Sequence, residues 1–171
     1  MRELSLFSGA GGGLLGSHLL GWTTVGYVEY DEYCQKILCQ RINDGDLPKA
    51  PVFGDVRRFI TDGYAKAYKG LVEVVSAGFP CQPFSVAGKQ RAVQDERNMW
   101  PATAEVLRIA RPRYALLENV PGLLATSHEY FGTILADLAH LGFDAEWGVL
   151  GAHHAGALHK RNRLWVWCWQ R

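Results

Sequence analysis

Residues 3–21 read ELSLFSGAGGGLLGSHLLG and combine three local patterns in one stretch. The apolar run at 3–7 predicts a short strand, and GLLGSHLLG at 13–21 predicts a helix that ends near Gly21. The glycines between them let a ligand approach the backbone closely and leave helix N–H groups free. This order is typical of the first unit of an α/β fold. Such turns also occur where strand and helix only pack tightly, so the ligand stays open.

The same alternation continues through the rest of the chain. Asp31 is placed to begin one helix, Pro101 lies in the first turn of another, and Gly142 ends a third. Together these patterns predict a mostly parallel sheet with helices on both faces. The predicted strands lie at 3–7, 23–30, 50–56, 71–78, 113–120, 143–152 and 162–170, and the predicted helices at 13–21, 31–42, 98–110 and 129–142.

The composition is typical of a globular domain in a reducing compartment. The 171 residues suit a single domain, and 48% of them are hydrophobic. The formal net charge is +1, so a nucleic-acid partner has to be argued from local patches rather than from bulk charge. The four cysteines form no CxxC pair, and the chain has no apolar run of 18 residues. We therefore expect a cytoplasmic protein that has no membrane contact.

Two carboxylates follow predicted strands at the edge where parallel sheets bind ligands. Glu29 ends the second strand, where a carboxylate can accept hydrogen bonds from both hydroxyls of a ribose. Asp55 ends the third strand, where it can accept a bond from an adenine amino group. No basic residue lies within 7–21, so an adenosine without phosphates fits better than a nucleotide. The alternative is a tight turn beside two solvated carboxylates.

The segment GFPCQPFS, at 78–85, places Cys81 directly after the fourth predicted strand. Pro80 and Pro83 stiffen the turn around a thiol that could act as a nucleophile once ionised. Glu118 closes the neighbouring strand, so a carboxyl group could face the same pocket and protonate a ring nitrogen. The alternatives are a buried structural cysteine and a surface ion pair of Glu118 with a nearby arginine. For Asn119 we favour a turn-forming role.

The segment 79–98 is polar, shows no clear period and contains Gly88, so we expect a mobile loop. Its polar and basic side chains include Gln82, Ser85, Lys89, Arg91 and Arg97, and each of the charges could be a solvated surface charge.

The last strand carries three tryptophans on one face, at 165, 167 and 169, and Leu164, Val166 and Cys168 on the other. A strand that is apolar on both faces is normally buried on both, so we expect helices to cover it; the alternative is a separate segment or partner chain over the tryptophan face. The histidines at 153, 154 and 159 match no common zinc spacing, so no metal site is expected. Cys34 and Cys39 are predicted to be packing residues on a helix.

Four motifs together resemble the DNA cytosine-5 methyltransferases: FSGAGGG, GFPCQPFS, LLENVPG and HKRNR occur in the order of that family. The resemblance covers about 5–166 and implies a Rossmann-like, S-adenosylmethionine-dependent methyltransferase fold. It implies a mostly parallel seven-stranded sheet with an antiparallel final strand. It further implies a bacterial or phage-encoded enzyme of restriction-modification type that methylates C5 of a cytosine flipped out of double-stranded DNA.

The resemblance also implies roles for individual residues. Cys81 would attack C6 of the cytosine, and Glu118 would hold its N3 and exocyclic amine. Arg161 and Arg163 would orient that glutamate and contact the base oxygen. The residues implied to bind S-adenosylmethionine are Phe7, Gly9, Gly11, Gly12, Glu29, Asp55 and Pro80. The residues implied to contact DNA are Gln82, Ser85, Lys89, Arg91 and Arg97, and the basic ones among them would grip its backbone.

The sequence departs from the family pattern in two places. The segment HKRNR, at 159–163, corresponds to the family's arginine motif, and His159 stands where that motif usually opens with glutamine. The family also normally continues into a target-recognition domain and a returning C-terminal segment, so we expect residues 1–171 to form one catalytic domain without them. Three alternatives stay open: the catalytic half of a split enzyme completed by a second chain or a second copy, an RNA cytosine-5 methyltransferase, and a non-catalytic nucleic-acid-binding remnant.

Overall fold

The computed structural model describes residues 1–80, 98–125 and 128–171. The strands are Arg2–Leu6 (β1), Thr23–Val28 (β2), Val52–Phe53 (β3), Val74–Ala77 (β4), Tyr114–Asn119 (β5), Phe143–Leu150 (β6) and Arg163–Gln170 (β7). The α-helices are Gly12–Leu19 (α1), Glu32–Asp44 (α2), Val56–Thr61 (α3), Trp100–Ala110 (α4), Gly122–Ala125 (α5) and His128–His140 (α6). Short 3₁₀ helices span Tyr64–Tyr68 and Ala152–Ala155.

The seven strands form one sheet in the order β3-β2-β1-β4-β5-β7-β6. The pairs among β1 to β5 are parallel, whereas β7 runs antiparallel to both β5 and β6. The predicted seven-stranded, mostly parallel sheet with an antiparallel final strand is therefore confirmed. Because β1 and β4 are neighbours at its centre, the turns that follow them open at the same edge.

Helices pack on both faces of the sheet. Leu4, Leu6 and Val75 belong to a large core that also contains buried residues of α4 and α6. A smaller cluster on the other side joins Leu14 of α1, Tyr27 of β2 and Leu38 of α2. Successive strand residues point to opposite faces, and β4 accordingly buries Val74 and Val75 on opposite sides of the sheet. The α1 and α4 sides of the sheet are called by these names below.

A buried carboxylate lies on the α1 side near the start of β1. Glu3 is 1% exposed. Its oxygens accept hydrogen bonds from the hydroxyls of Ser17 at 2.9 Å, Thr24 at 2.8 Å and Ser76 at 2.6 Å. Since these partners come from α1, β2 and β4, the carboxylate joins three elements, and its hydrogen bonds offset part of the cost of burying a charge.

The expectation that helices cover both faces of β7 is wrong for one face. Leu164, Val166 and Cys168 are buried on the α4 side, as predicted. Trp165, Trp167 and Trp169 are only partly buried in the part of the chain that the structure describes. Trp167 lies between the rings of Trp22 and Tyr114, with centroids 6.5 and 5.2 Å away. Within the described residues, the rings of Trp22 and Tyr114 therefore give this face part of its cover.

Helix α3 and the 3₁₀ helix after it were not predicted from the sequence. Asp55 accepts a 2.8 Å hydrogen bond from the backbone N–H of Arg57 and so caps α3. The residue therefore begins a helix, two positions after β3, rather than ending the strand as we expected. The placement of Cys39 is also wrong: it is exposed on α2 rather than packed.

Candidate functional site

A cleft opens at the carboxyl ends of the central strands and has two compartments. The larger, of about 780 Å³, lies between the glycine turn and β7 and is lined by Gly9, Gly12, Glu118 and Arg163 among others. The smaller, of about 360 Å³, lies beside the start of α3. Phe7 lines both compartments. Its φ of 54° places a non-glycine residue in the left-handed region, a conformation that is uncommon outside turns and functional sites.

Glu29 holds the glycine turn in place. One carboxylate oxygen accepts a 2.6 Å hydrogen bond from the N–H of Gly9, and the other accepts a 2.8 Å bond from the N–H of Asp31. Gly9 itself has a φ of 55°, which an L side chain would strain. Glu29 therefore links the turn after β1 to the turn after β2, a structural role that the sequence did not predict.

Gly11 lies on another side of the turn from the two compartments. It lines a separate surface groove with Arg41 and His18. A Cβ on Gly11 would come within 3.3 Å of the Arg41 guanidinium, and its φ of 90° favours glycine. Gly11 thus serves the turn and its close approach to α2, whereas Phe7, Gly9 and Gly12 are the predicted glycine-turn residues that line the larger compartment.

The smaller compartment combines apolar walls with one carboxylate. Asp55 and Pro80, both predicted to bind cofactor, line it with Val28 and Met99. Tyr30 also lines it, and its side chain is 76% exposed. Tyr30 was not among the predicted site residues, although an aromatic residue between Glu29 and Asp31, directly after a strand, was a usable signal. An exposed ring beside apolar walls can stack on a planar ligand.

Glu118 and Arg163 form an ion pair inside the larger compartment. Arg163 Nε lies 2.7 Å from Glu118 Oε1, and the two side chains are 24% and 30% exposed. Their strands pair directly, since Glu118 is in register with Trp165 of β7. A Cβ on Gly78 would lie 3.1 Å from Glu118 Oε2, so glycine leaves room for this carboxylate. The structure therefore brings together two of the predicted catalytic side chains.

Arg161 lines the same compartment but is exposed, two residues before β7. Its φ of 32° is positive, which is unusual for a residue with a side chain. His159 is exposed in the same turn. The arginine motif thus presents one cation that is paired with Glu118 and a second one at the cleft rim.

Asn119 ties the end of β5 to the end of β4. It is buried, its Nδ2 donates a 3.0 Å hydrogen bond to the carbonyl of Phe79, and its Oδ1 accepts a 2.9 Å bond from the N–H of Val120. The second bond agrees with the turn role that we favoured. The first is an additional role, because it fixes the backbone two residues before Cys81 relative to Glu118.

Several predicted site residues lie outside the described residues: Cys81, Gln82, Ser85, Lys89, Arg91 and Arg97. Burial raises the pKa of the Cys168 thiol to about 12, so this cysteine is unsuited to act as a nucleophile. Within the described ranges, no group of three or more His, Cys, Asp or Glu side chains could hold a metal ion. No helix in these ranges is long and apolar enough to cross a membrane.

The chain is similar in sequence to a known protein family and to several of its members. The C-5 cytosine-specific DNA methylase family matches residues 1–171. The type II methyltransferase M.NgoMIV of Neisseria gonorrhoeae is 34% identical over 164 residues, which are 95% of this chain and 49% of that protein. The type II methyltransferase M.AquIA of Picosynechococcus is 38% identical over 130 residues, covering 72% of this chain and 50% of that protein. The chain thus spans about half the length of these relatives.

Solved structures share the fold. A DNMT2 variant of Spodoptera frugiperda superimposes with a TM-score of 0.75 at 20% identity, covering 99% of this chain and 50% of that one. A putative DNA modification methyltransferase of an E. coli prophage gives 0.73 at 24% identity, with 99% and 47% covered. The strand order, the cleft and the family match agree. The chain belongs to the C-5 cytosine-specific DNA methylase family.

Proposed function

We propose that residues 1–171 form the catalytic domain of an enzyme that transfers a methyl group from S-adenosylmethionine to C5 of cytosine in DNA. The observation that carries the proposal is the Glu118–Arg163 ion pair, held at 2.7 Å within the cleft. A carboxyl group restrained by a guanidinium is suited to hold N3 and the amine of a cytosine ring. Membership of the family, and motifs such as GFPCQPFS, support the same chemistry.

In the proposed reaction, the Cys81 thiolate forms a bond to C6 of the cytosine, and the displaced electron pair makes C5 nucleophilic. Glu118 stabilises this adduct at N3, where the ring gains a proton or a hydrogen bond. S-adenosylmethionine would supply the methyl group, which C5 receives as the methyl–sulfur bond of the sulfonium breaks and a neutral thioether leaves. Loss of the C5 proton to a base then returns the electron pair to the ring and expels the thiolate. The target cytosine has to leave the base stack first.

The described residues fit S-adenosylmethionine in both compartments. The smaller compartment offers Tyr30, Pro80 and Val28 as apolar surfaces for a purine ring, with the Asp55 carboxylate among them. The larger compartment continues from it past Phe7, where Gly9 and Gly12 leave space for the remainder of the ligand. Phe7 would lie between the two parts of the cofactor.

The test is methyl transfer by the purified chain from radiolabelled S-adenosylmethionine to duplex DNA and, in parallel, to transfer RNA. We expect label in DNA and, after enzymatic digestion, in 5-methylcytosine. Label in RNA alone would move the assignment to an RNA cytosine-5 methyltransferase. Cofactor binding without transfer to either, even with the products of neighbouring genes added, would favour a non-catalytic remnant.

A second candidate is the catalytic half of a split enzyme. The only partly buried tryptophan face of β7, next to the larger compartment, favours it, because apolar strand faces are normally covered. We propose that recognition of the DNA sequence lies outside residues 1–171, in a further segment or a second chain. Transfer that appears only when such a chain is added would distinguish this candidate from a domain active alone.

Substitution of Asp55 tests the cofactor site separately. One Asp55 oxygen caps α3, which leaves the other free to accept a bond from an adenine amino group. Asp55→Asn should keep the cap but place an NH₂ group where the ligand needs an acceptor. We expect S-adenosylmethionine binding to weaken by about 1–3 kcal/mol, measured by calorimetry.

Asp31→Asn is the matched control, because Asp31 caps α2 in the same way and does not line the compartment. Its cofactor affinity should be unchanged. Arg57 also lines the smaller compartment, and an arginine there could bind phosphate groups. ATP, which has phosphates, is therefore the informative competitor. Tighter binding of ATP than of S-adenosylmethionine would contradict the proposed adenosine site without phosphate contacts.

A further inference from the structure

The segment that carries Cys81 leaves and rejoins the described fold at two adjacent points. The N–H of Met99 donates a 3.2 Å hydrogen bond to the carbonyl of Pro80. Next to this bond, the rings of Phe79 and Trp100 lie with their centroids 5.3 Å apart, and both side chains are at least 96% buried. The two ends of residues 81–97 are therefore fixed to each other by a backbone bond and an aromatic contact.

Helix α6 holds the returning end with two hydrogen bonds. The hydroxyl of Tyr130, which is 5% exposed, donates to Asn98 Oδ1 at 2.5 Å. Trp100 Nε1 donates to Asp137 Oδ2 at 2.8 Å. Asn98 Oδ1 also accepts a 3.1 Å bond from the N–H of Trp100. These four side chains, Asn98, Trp100, Tyr130 and Asp137, are called the rim clasp below.

We infer that the rim clasp is a positioning device for the proposed nucleophile, an inference that rests on the proposed function. Asn98, Tyr130 and Asp137 line neither compartment of the cleft, so they have no route to touch the cofactor there. Their bonds hold Asn98 and Trp100, which flank Met99, and the N–H of Met99 donates to the carbonyl of Pro80, the residue directly before Cys81. Through this chain of contacts α6 fixes where the backbone enters the reactive segment.

Two independent supports meet at this entry point. Asn119 fixes Phe79 from the β5 side, beside Glu118, and the rim clasp fixes Pro80 from the α6 side. A reacting thiol has to be held close to its target, and small displacements of a positioned group lower rates strongly. Loosening the clasp should therefore slow the bond to C6 more than it weakens cofactor binding.

The experiment measures how fast the chain captures duplex DNA containing 5-fluorocytosine, with S-adenosylmethionine present. Fluorine cannot leave as the proton does, so the adduct with Cys81 accumulates. Tyr130→Phe removes only the hydroxyl that bonds Asn98, and we expect capture to slow by about tenfold or more. Cofactor affinity by calorimetry should change much less. Tyr64→Phe is the matched control, since Tyr64 is half-exposed at the start of the first 3₁₀ helix and its ring contacts Phe53 rather than the clasp.

Substitutions of Asn98 separate a positioning role from general support. Asn98→Asp keeps an oxygen that accepts both bonds and should capture DNA at a rate close to that of the wild-type chain. Asn98→Leu removes the acceptor and should match Tyr130→Phe. Hydrogen exchange at the amides of 99–103 gives a readout independent of turnover. It should be faster in Tyr130→Phe and Asn98→Leu, and unchanged in Asn98→Asp.

The outcomes separate the clasp from the proposed function. If the wild-type chain captures DNA, and Tyr130→Phe lowers the melting temperature but leaves the capture rate unchanged, the clasp is structural support only and the inference is wrong. If Asn98→Asp is as slow as Asn98→Leu, the hydrogen-bond acceptor at position 98 does not determine the capture rate, and the inference is also wrong. If the wild-type chain binds the cofactor but captures no DNA, even with the products of neighbouring genes added, the proposed function fails first.

Discussion

Cys81→Ser should abolish methyl transfer and covalent capture of 5-fluorocytosine DNA. A thiol with a pKa near 8.5 ionises readily when assisted, whereas a serine hydroxyl is a much weaker acid and a poorer nucleophile towards C6. We expect a loss of at least about 1,000-fold in turnover, which corresponds to about 4 kcal/mol of transition-state stabilisation. Radiolabel transfer and gel-shifted covalent complexes measure the two effects.

Cofactor affinity of Cys81→Ser should match that of the wild-type chain, because the loss concerns the base rather than S-adenosylmethionine. Cys39→Ser is the matched control, since Cys39 is exposed on α2 and should tolerate the change. Normal turnover by Cys81→Ser would show that the covalent mechanism is wrong for this chain, whatever its family membership implies.

Glu118→Gln should lower turnover by about 10²- to 10⁴-fold, the range typical of a lost general acid or base. The amide has nearly the shape of the carboxyl group but cannot supply a proton to N3 or carry the negative charge that pairs with Arg163 at 2.7 Å. Single-turnover methyl transfer at saturating cofactor measures the chemical step.

Glu105→Gln controls for loss of a glutamate–arginine pair as such. Glu105 pairs with Arg108 at 2.6 Å on the surface of α4, and exposed pairs contribute little to stability. Its turnover should be unchanged. A Glu118→Gln variant as fast as Glu105→Gln would limit Glu118 to a structural pairing with Arg163.

The order of elements could be predicted from the sequence because periodicity and helix signals agreed. The alternation of apolar runs with Asp31, Pro101 and Gly142 at helix ends gave the seven strands and the four longest helices. Helix α3 was not predicted because six residues contain too few turns to show a helical period. Its signal was the cap, and we had interpreted Asp55 only as a ligand-binding carboxylate.

The charged residues of the site were predicted from the sequence, whereas the residues that hold them in position were not. Glu118 and Arg163 were expected together, and the structure pairs them. The bonds from Asn119 to Phe79 and from Tyr130 to Asn98 join residues 40 and 32 positions apart. No local pattern encodes such contacts, because they depend on how β5 and α6 pack. Glu29 was interpreted only as a carboxylate that binds a ribose. The turn that it stabilises became visible only in three dimensions.

The position of β7 has a consequence for how the chain folds. β7 is the last of the seven strands along the chain, yet it lies between β5 and β6. In the described sheet β6 has no other neighbour, so it stays unpaired, and the edge of β5 stays open, until Arg163–Gln170 are synthesised and inserted. Open strand edges promote aggregation of partly folded chains. Nascent chains that end before β7 should therefore depend on chaperones.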